Sequence, residues 1–329
     1  TGVQTCALPI CFKTVYDEYV KSGKGVRFRT TGEEAIVLSH KFATALLSSK
    51  RPVLYLGGGS NNPCAEEKIR EFLEIFDCPV VSSLMALGVV PVDSPAFLGM
   101  VGMHGSYVAN LAMYESDLVI AAGVRFDDRA TGLVSKFCPS AKIIHIDIDA
   151  AEVNKIVHSD ISIVADVESV FPILTQLLKE KGISSDGKFL KDMASKKKKE
   201  DTIMLGRPKG ETKINPRKLI KELPLFASQM NLSSEDLIVT TDVGQHQMWA
   251  AQYYPVSSPK TFLTSGSLGT MGFGLPCAIG ASLQNPSKKV VCISGDGSIM
   301  MNIQELATLS EQNLNVTVIV FQNGTLGMV

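Results

Sequence analysis

No stretch of this 329-residue chain is apolar for the ~18–20 residues that a bilayer-spanning helix needs, and no block of charge dominates it. Lysine plus arginine (32) nearly balance aspartate plus glutamate (33), leaving a net charge of −1. A chain so close to neutral carries no electrostatic footprint for nucleic acid or an anionic membrane, so neither is expected as a partner. Seven cysteines are scattered at 6, 11, 64, 78, 138, 277 and 292 with no CxxC pair. That argues against a disulfide framework and for a reducing, cytoplasmic setting, with an organelle left open because no native N-terminus is in view. Short-period repeats are absent, and the one glycine turn that ends an early strand, Gly57-Gly58-Gly59, is not a GxGxxG fingerprint.

What is present is the composition of an ordinary globular protein, 45% apolar and 20% charged, with length for about two domains. Thr1 to Ile10 has no periodicity and reads as a translated adapter, and Lys13 to Arg29 reads as a polar connection. From there, apolar runs that suit parallel strands alternate with amphipathic stretches that suit helices. Helix is expected over 31–49, 64–76 and 167–179, and strand over 52–56, 79–81, 117–122, 141–148 and 161–164. This predicts a doubly wound α/β domain over residues 31–181. Residues 182–213, with Lys196 to Lys199, break the pattern and read as a solvated linker carrying a surface helix. Alternation resumes with a helix over 217–223, a strand over 237–241 and a helix over 271–283, giving a second α/β domain over 214–329. The expected fold class is therefore α/β with two doubly wound parallel-sheet domains, the second incomplete.

The most informative run is Gly295-Asp296-Gly297-Ser298. It follows the buried-strand pattern Val290 to Ser294 and precedes a helical pattern over 299–314. The next strand pattern, Val316 to Phe321, ends at Gln322-Asn323-Gly324-Thr325. An acid and an amide thus stand 27 residues apart at the carboxyl ends of successive strands, where open α/β sheets bind ligands. One carboxylate, one amide and backbone carbonyls are hard oxygen ligands suited to Mg²⁺ holding a phosphate. The flanking glycines let backbone N–H groups approach that phosphate. An ordinary βαβ unit with a Gly-Asp turn would leave the same short trace. Two further segments reach the same sheet edge: Thr241 to Trp249, with His246 between Gln245 and Gln247, and the glycine-rich run Thr264 to Pro276.

The GDG run with its distal Asn323 resembles the thiamin diphosphate (ThDP) motif, with Gln322 where that motif has its first Asn. GQHQMW, SGSLGTMGFGLP, NIQELAT and NGTLGMV, together with LYLGGGS, SSLMALG, LGMVGMHGSYVAN, GVRFDDRATG and IIHIDID, resemble the large catalytic subunit of the acetohydroxyacid synthase (acetolactate synthase) family. The resemblance runs from about Arg51 to Val329, with only the linker outside it.

The resemblance implies three cofactors. Mg²⁺ would be held by Asp296, Asn323 and the carbonyl of Thr325, and the ThDP diphosphate by Gln245, His246, Gly295, Gly297 and Ser298. Met271 would support the bent cofactor from beneath, with a core-filler role as the alternative, and the Gly269 carbonyl would accept from its amino group. FAD would contact Gly57, Gly58, Gly59, Ser83, Leu84, Met103, His104, Gly123 and Arg125, with Asp147 and Asp166 at its adenosine end. Arg129 would meet the carboxylate of the second 2-ketoacid, a task suited to a guanidinium fork; a surface ion-pair cluster with Arg125, Asp127 and Asp128 is the rival reading. The implied reaction is decarboxylation of pyruvate and carboligation to a second 2-ketoacid, giving 2-acetolactate or 2-aceto-2-hydroxybutyrate for branched-chain amino acid synthesis. FAD would do no net redox chemistry. The implied partners are a second copy sharing the active site, in a dimer or tetramer, and a regulatory small subunit. The family's activating glutamate belongs to an N-terminal domain outside this sequence, so the fragment alone is expected to be inactive. A glyoxylate carboligase or pyruvate oxidase type and a non-catalytic nucleotide-binding protein remain as alternatives.

Overall fold

The computed structural model describes residues 41–206, 214–229 and 231–329. The expected adapter and connection, the first part of the 31–49 helix and the end of the linker lie outside these residues.

The first described helix, α1 (41–48), buries Phe42, Ala43, Ala45 and Leu46. Strand β1 (Pro52–Leu56) is buried along its whole length. Helix α2 (Pro63–Leu73) starts where Asn62 caps it, accepting from Ala65 N, with Pro63 in the first turn. Next come β2 (Val80–Ser82), β3 (Phe97–Met100), α3 (Tyr107–Glu115), β4 (Leu118–Ala122), the short α4 (Asp128–Thr131), β5 (Lys142–Asp147) and β6 (Ile161–Val164). Helix α5 (Val167–Lys181) is capped by Asp166 and stops at Gly182, whose left-handed conformation turns the chain away. All six strands are parallel in the order β3-β2-β1-β4-β5-β6, so the direction of winding reverses between β1 and β4. Phe72 and Phe171 meet edge to face at 5.3 Å where α2 packs on α5.

Three elements in this unit, β3, α3 and the one-turn α4, have no counterpart in the sequence pattern. Strand β3 is only four residues long with Gly99 at φ +117°, and α3 is set by Ser106, which caps Ala109 N. The linker also departs from expectation. Helix α6 (Lys188–Leu205) is not solvated all round, because Phe189 and Met193 are buried. Glu200 on α6 accepts from Tyr107 N at 2.7 Å and Val108 N at 3.2 Å, closing the N-terminus of α3. In the lysine run, Lys196 pairs with Asp192 and Glu115, and Lys197 with Asp201.

The second unit comprises α7 (Pro216–Gln229), β7 (Leu237–Thr241), α8 (Gln245–Tyr253), β8 (Phe262–Thr264), α9 (Gly274–Gln284), β9 (Lys289–Gly295), α10 (Asp296–Ile299), α11 (Glu305–Glu311) and β10 (Val316–Phe321). Its four strands are parallel in the order β10-β9-β7-β8, so winding reverses between β7 and β9. The single helix expected over 299–314 is broken. A 3₁₀ turn at Met300–Asn302 separates α10 from α11, and Ile303 and Leu306 are exposed rather than buried. The two units share one apolar core, which joins Leu54, Ile120 and Ile144 to Val239, Ala250, Tyr254 and Ile293. Polar contacts cross the same boundary: Gln252 Nε2 donates to His104 O at 2.6 Å, and Val92 N to Val256 O at 3.2 Å.

Candidate cofactor site at two sheet edges

In the second unit the loops after β7, β8 and β9 and the turn after β10 enclose a cavity of about 220 Å³. It is lined by Gln245, His246, Gly269, Met271, Gly295, Asp296, Gly297, Ser298, Asn323 and Thr325, so every residue read from the sequence for ThDP and Mg²⁺ is brought together. Trp249 and Phe321, in edge-to-face contact at 5.9 Å, form its apolar wall.

Strand pairing explains the juxtaposition of acid and amide. β9 and β10 run in register with Phe321 opposite Gly295, so Asp296 and the 322–325 turn leave the sheet side by side. Asp296 Oδ1 accepts from Gly297 N at 3.1 Å and Oδ2 from Gly324 N at 2.9 Å. Asn323 Oδ1 accepts from Thr325 N at 3.0 Å, and its Nδ2 donates to Gln245 Oε1 at 3.0 Å. Each of these oxygens keeps a lone pair for a further partner. A carboxylate, an amide oxygen and backbone carbonyls on two adjacent strand ends fit a hard divalent cation and its phosphate. Among the described residues no cluster of three His, Cys, Asp or Glu side chains exists to offer a different metal site.

His246 does not stand on a loop. It lies in the first turn of α8, and its ring is buried between two glycines: a Cβ at Gly295 would lie 2.8 Å from Nδ1 and one at Gly244 2.7 Å from Cε1. Burial holds its pKa below the usual imidazole value, against the opposing fields of Asp242 and Asp296. Its Nε2 is buried without a hydrogen-bond partner, an orphan that a ligand in the cavity would satisfy. Ser298 Oγ donates to Val243 O at 2.6 Å, so its hydroxyl ties the third loop to the first. One residue of this site escaped the sequence reading. Asp242 is fully buried beneath the cavity floor, and its only signal was an acid directly after the β-branched run 237–241.

The residues read for FAD lie along the carboxyl edge of the first sheet. Gly57–Gly59 follow β1, Ser83 and Leu84 follow β2, Met103 and His104 follow β3, Gly123 and Arg125 follow β4, Asp147 ends β5 and Asp166 follows β6. At the winding reversal the two glycine turns touch: a Cβ at Gly57 would overlap the Gly123 carbonyl, and Gly123 itself has φ +63°. This contact keeps the mouth between β1 and β4 free of side chains, as a crevice for a dinucleotide requires. Asp147 is buried and accepts from Asp149 N at 2.9 Å, and burial pushes its carboxyl above the usual range. Desolvation and the nearby Arg129 hold His104 below its usual value. Arg129 is not brought to the cavity of the second unit. Its carbonyl accepts from Met103 N at 2.9 Å and its side chain is exposed. Asp127 caps α4 rather than forming an ion-pair cluster with the arginines.

Comparison with known proteins follows this division. The family model for the thiamine pyrophosphate enzyme central domain matches residues 39–177, and that for the C-terminal TPP binding domain matches residues 242–329. The chain is 46% identical over 287 residues to the acetolactate synthase isozyme 1 large subunit of Escherichia coli (strain K12), covering 87% of this chain and 49% of that protein. It is 41% identical over 308 residues to the isozyme 3 large subunit of the same organism, covering 91% and 51%. To the probable acetolactate synthase large subunit of Methanococcus aeolicus it is 43% identical over 296 residues, covering 86% and 48%. The chain spans about half the length of these curated relatives. Both domain matches, in order on one chain and at these identities, show that it belongs to the thiamine pyrophosphate enzymes, in the group of the acetolactate synthase large subunits.

Proposed function

We propose that the protein to which this chain belongs condenses two 2-ketoacids, with loss of CO₂ from the first, to give 2-acetolactate or 2-aceto-2-hydroxybutyrate. The observation that supports this most is the pairing of Asp296 with the Asn323 turn through Gly324 N at the rim of a cavity that also holds an unpartnered His246 Nε2. ThDP, when bound, supplies the electron sink for the decarboxylation. Residues of this chain bind and orient it. Asp296, Asn323 and the Thr325 carbonyl hold Mg²⁺. Gln245, His246, Gly295, Gly297 and Ser298 surround the diphosphate, and Gly297 stays free of a side chain because Leu326 would lie 2.7 Å from a Cβ there. Met271 and Gly269 form the wall against which the cofactor rests, and Trp249 and Phe321 keep water from that side.

The first unit, residues 31–181 in this reading, binds FAD along its sheet edge without net redox chemistry, and 182–213 links it to the ThDP unit over 214–329. Arg129 meets the second ketoacid from this edge. A second copy completes the active site and a small regulatory subunit joins it, in keeping with the large-subunit naming of the relatives. The chain alone forms no acetolactate.

Titration of the purified chain with ThDP tests this reading. Its single tryptophan, Trp249, lines the cavity, so binding is read as a change in intrinsic fluorescence. Mg²⁺-dependent binding that disappears in Asp296→Ala is the expected result. Binding that ignores Mg²⁺, or that survives the substitution, overturns it.

A further inference from the structure

Three of the loops that enclose the cavity leave the sheet from β7, β8 and β9, and one side chain ties the first two to the end of β9. Asp242 is 0% exposed. Its Oδ1 accepts from Val243 N at 2.9 Å, within its own loop, and from Gly272 N at 2.7 Å, in the loop after β8. Its Oδ2 accepts from Ser294 Oγ at 3.2 Å, at the end of β9 and two residues before Asp296. Its own N–H donates to Ile293 O at 2.9 Å.

Gly272 is held from the other side as well. Its carbonyl accepts from Asn302 Nδ2 at 2.7 Å, the asparagine that ends the 3₁₀ turn separating α10 from α11. Gly272 sits at φ +88°, and a Cβ there would lie 2.7 Å from Asn302 Nδ2 and 2.8 Å from Met301 Cβ. A left-handed glycine without space for a side chain is what this double grip demands. The residue immediately before it is Met271, which lines the cavity, its Cε 3.9 Å from where a Gly297 Cβ would stand.

A methionine is the wrong residue to set a position unaided, since three rotatable bonds let it fill many shapes. A fully buried carboxylate is also costly unless every lone pair finds a donor. Both facts are reconciled if the carboxylate serves to register the backbone that carries the methionine. We propose that Asp242 and Asn302 are positioning residues. By gripping Gly272 through its N–H and its C=O, they hold Met271 at a set height over Asp296-Gly297. This deepens the cofactor-site reading above and rests on it only for the consequence in binding.

The experiment uses the 329-residue chain with its 12 methionines labelled at the ¹³C-methyl, the Met271 signal being assigned through Met271→Leu. Asn302→Asp keeps the size and removes the donor, and Asn302 is only partly buried, so the fold should survive. The expected result is a shifted or split Met271 signal in the cofactor-free chain, the other methionines outside 300–301 staying in place. Mg²⁺–ThDP affinity read from Trp249 should fall by about tenfold, the effect of one lost hydrogen bond. Asp242→Asn, which keeps one acceptor oxygen, should show a smaller movement of the same signal. An unmoved Met271 signal in folded Asn302→Asp overturns the proposal. If the unaltered chain fails to bind Mg²⁺–ThDP, the cofactor reading falls, and the Met271 signal still decides the grip on Gly272.

Discussion

The two sheets of this chain obey the same winding rule and end differently. In the six-stranded sheet the central strands β1 and β4 are buried at every position. Both faces are covered, by α2 and α5 on one side and α3 and α6 on the other. In the four-stranded sheet, β9 is largely buried but β10 is half exposed along its length, with Val320 at 44% exposure. At the edge of the first sheet glycine turns pack on glycine turns between β1 and β4, whereas the second sheet carries a cavity whose acid leaves β9, a strand with two neighbours, and whose amide leaves the rim strand β10, which has one. Burial on both faces makes a strand's contribution depend on packing. A strand at the rim is left to do chemistry with little packing to lose.

That contrast can be broken by measurement. The largest effect is expected in the first unit: Phe171→Ala removes a ring locked against Phe72 in the shared core and should cost about 3–5 kcal/mol in urea denaturation. Val320→Ala on β10 should cost less than about 0.5 kcal/mol; equal costs would mean that β10 packs as the central strands do. Next comes Gly123→Ala. The new methyl would meet the Gly59 backbone at 2.6 Å, in a left-handed conformation, for an expected loss of about 1–3 kcal/mol or more. If flavin binds at this crevice, that variant should lose it, while Mg²⁺-dependent ThDP binding persists; loss of both together would join the two sites into one.

The smallest effect is a pH slope. Burial raises the Asp147 carboxyl above its usual value. The folded chain therefore holds that proton more tightly than the unfolded chain does. In the window just above the usual carboxylate pKa of about 3.9, the contribution of this group to stability falls as pH rises, and it stays low above the window. Asp147→Asn, which keeps an acceptor for Asp149 N, should flatten the curve there. An unchanged slope would mean that the Asp147 carboxyl is solvated rather than buried.

Much of the candidate site is legible in the sequence, because strand ends announce themselves. An apolar β-branched run that stops at glycine, acid or amide marks the sheet edge, and Asp296 and Asn323 both stand at such stops. His246 was legible as a candidate, but its clasp between Gly244 and Gly295 was not, since those glycines lie on different strands' loops. Asp242 shows only as one more acid at a strand end, and Asn302 carries no pattern at all; their roles exist through bonds to residue 272, 30 positions from each. Strand β3 escapes the sequence reading because four residues containing a positive-φ glycine leave no periodicity to count. The linker helix reads as solvated in the sequence because its two buried residues are outweighed by lysines, of which Lys196 and Lys197 are held in ion pairs.

By itself, then, the sequence determined the alternation of strand and helix, the two sheets and the residues that end their strands. Those follow from local periodicity and backbone preference, which act within a few residues. Tertiary structure alone decided the strand order, the shared core between the units, the break after Ile299 and the grip on Gly272. Each of these is a contact between segments distant in the chain, and its free energy appears only when both segments are already in place.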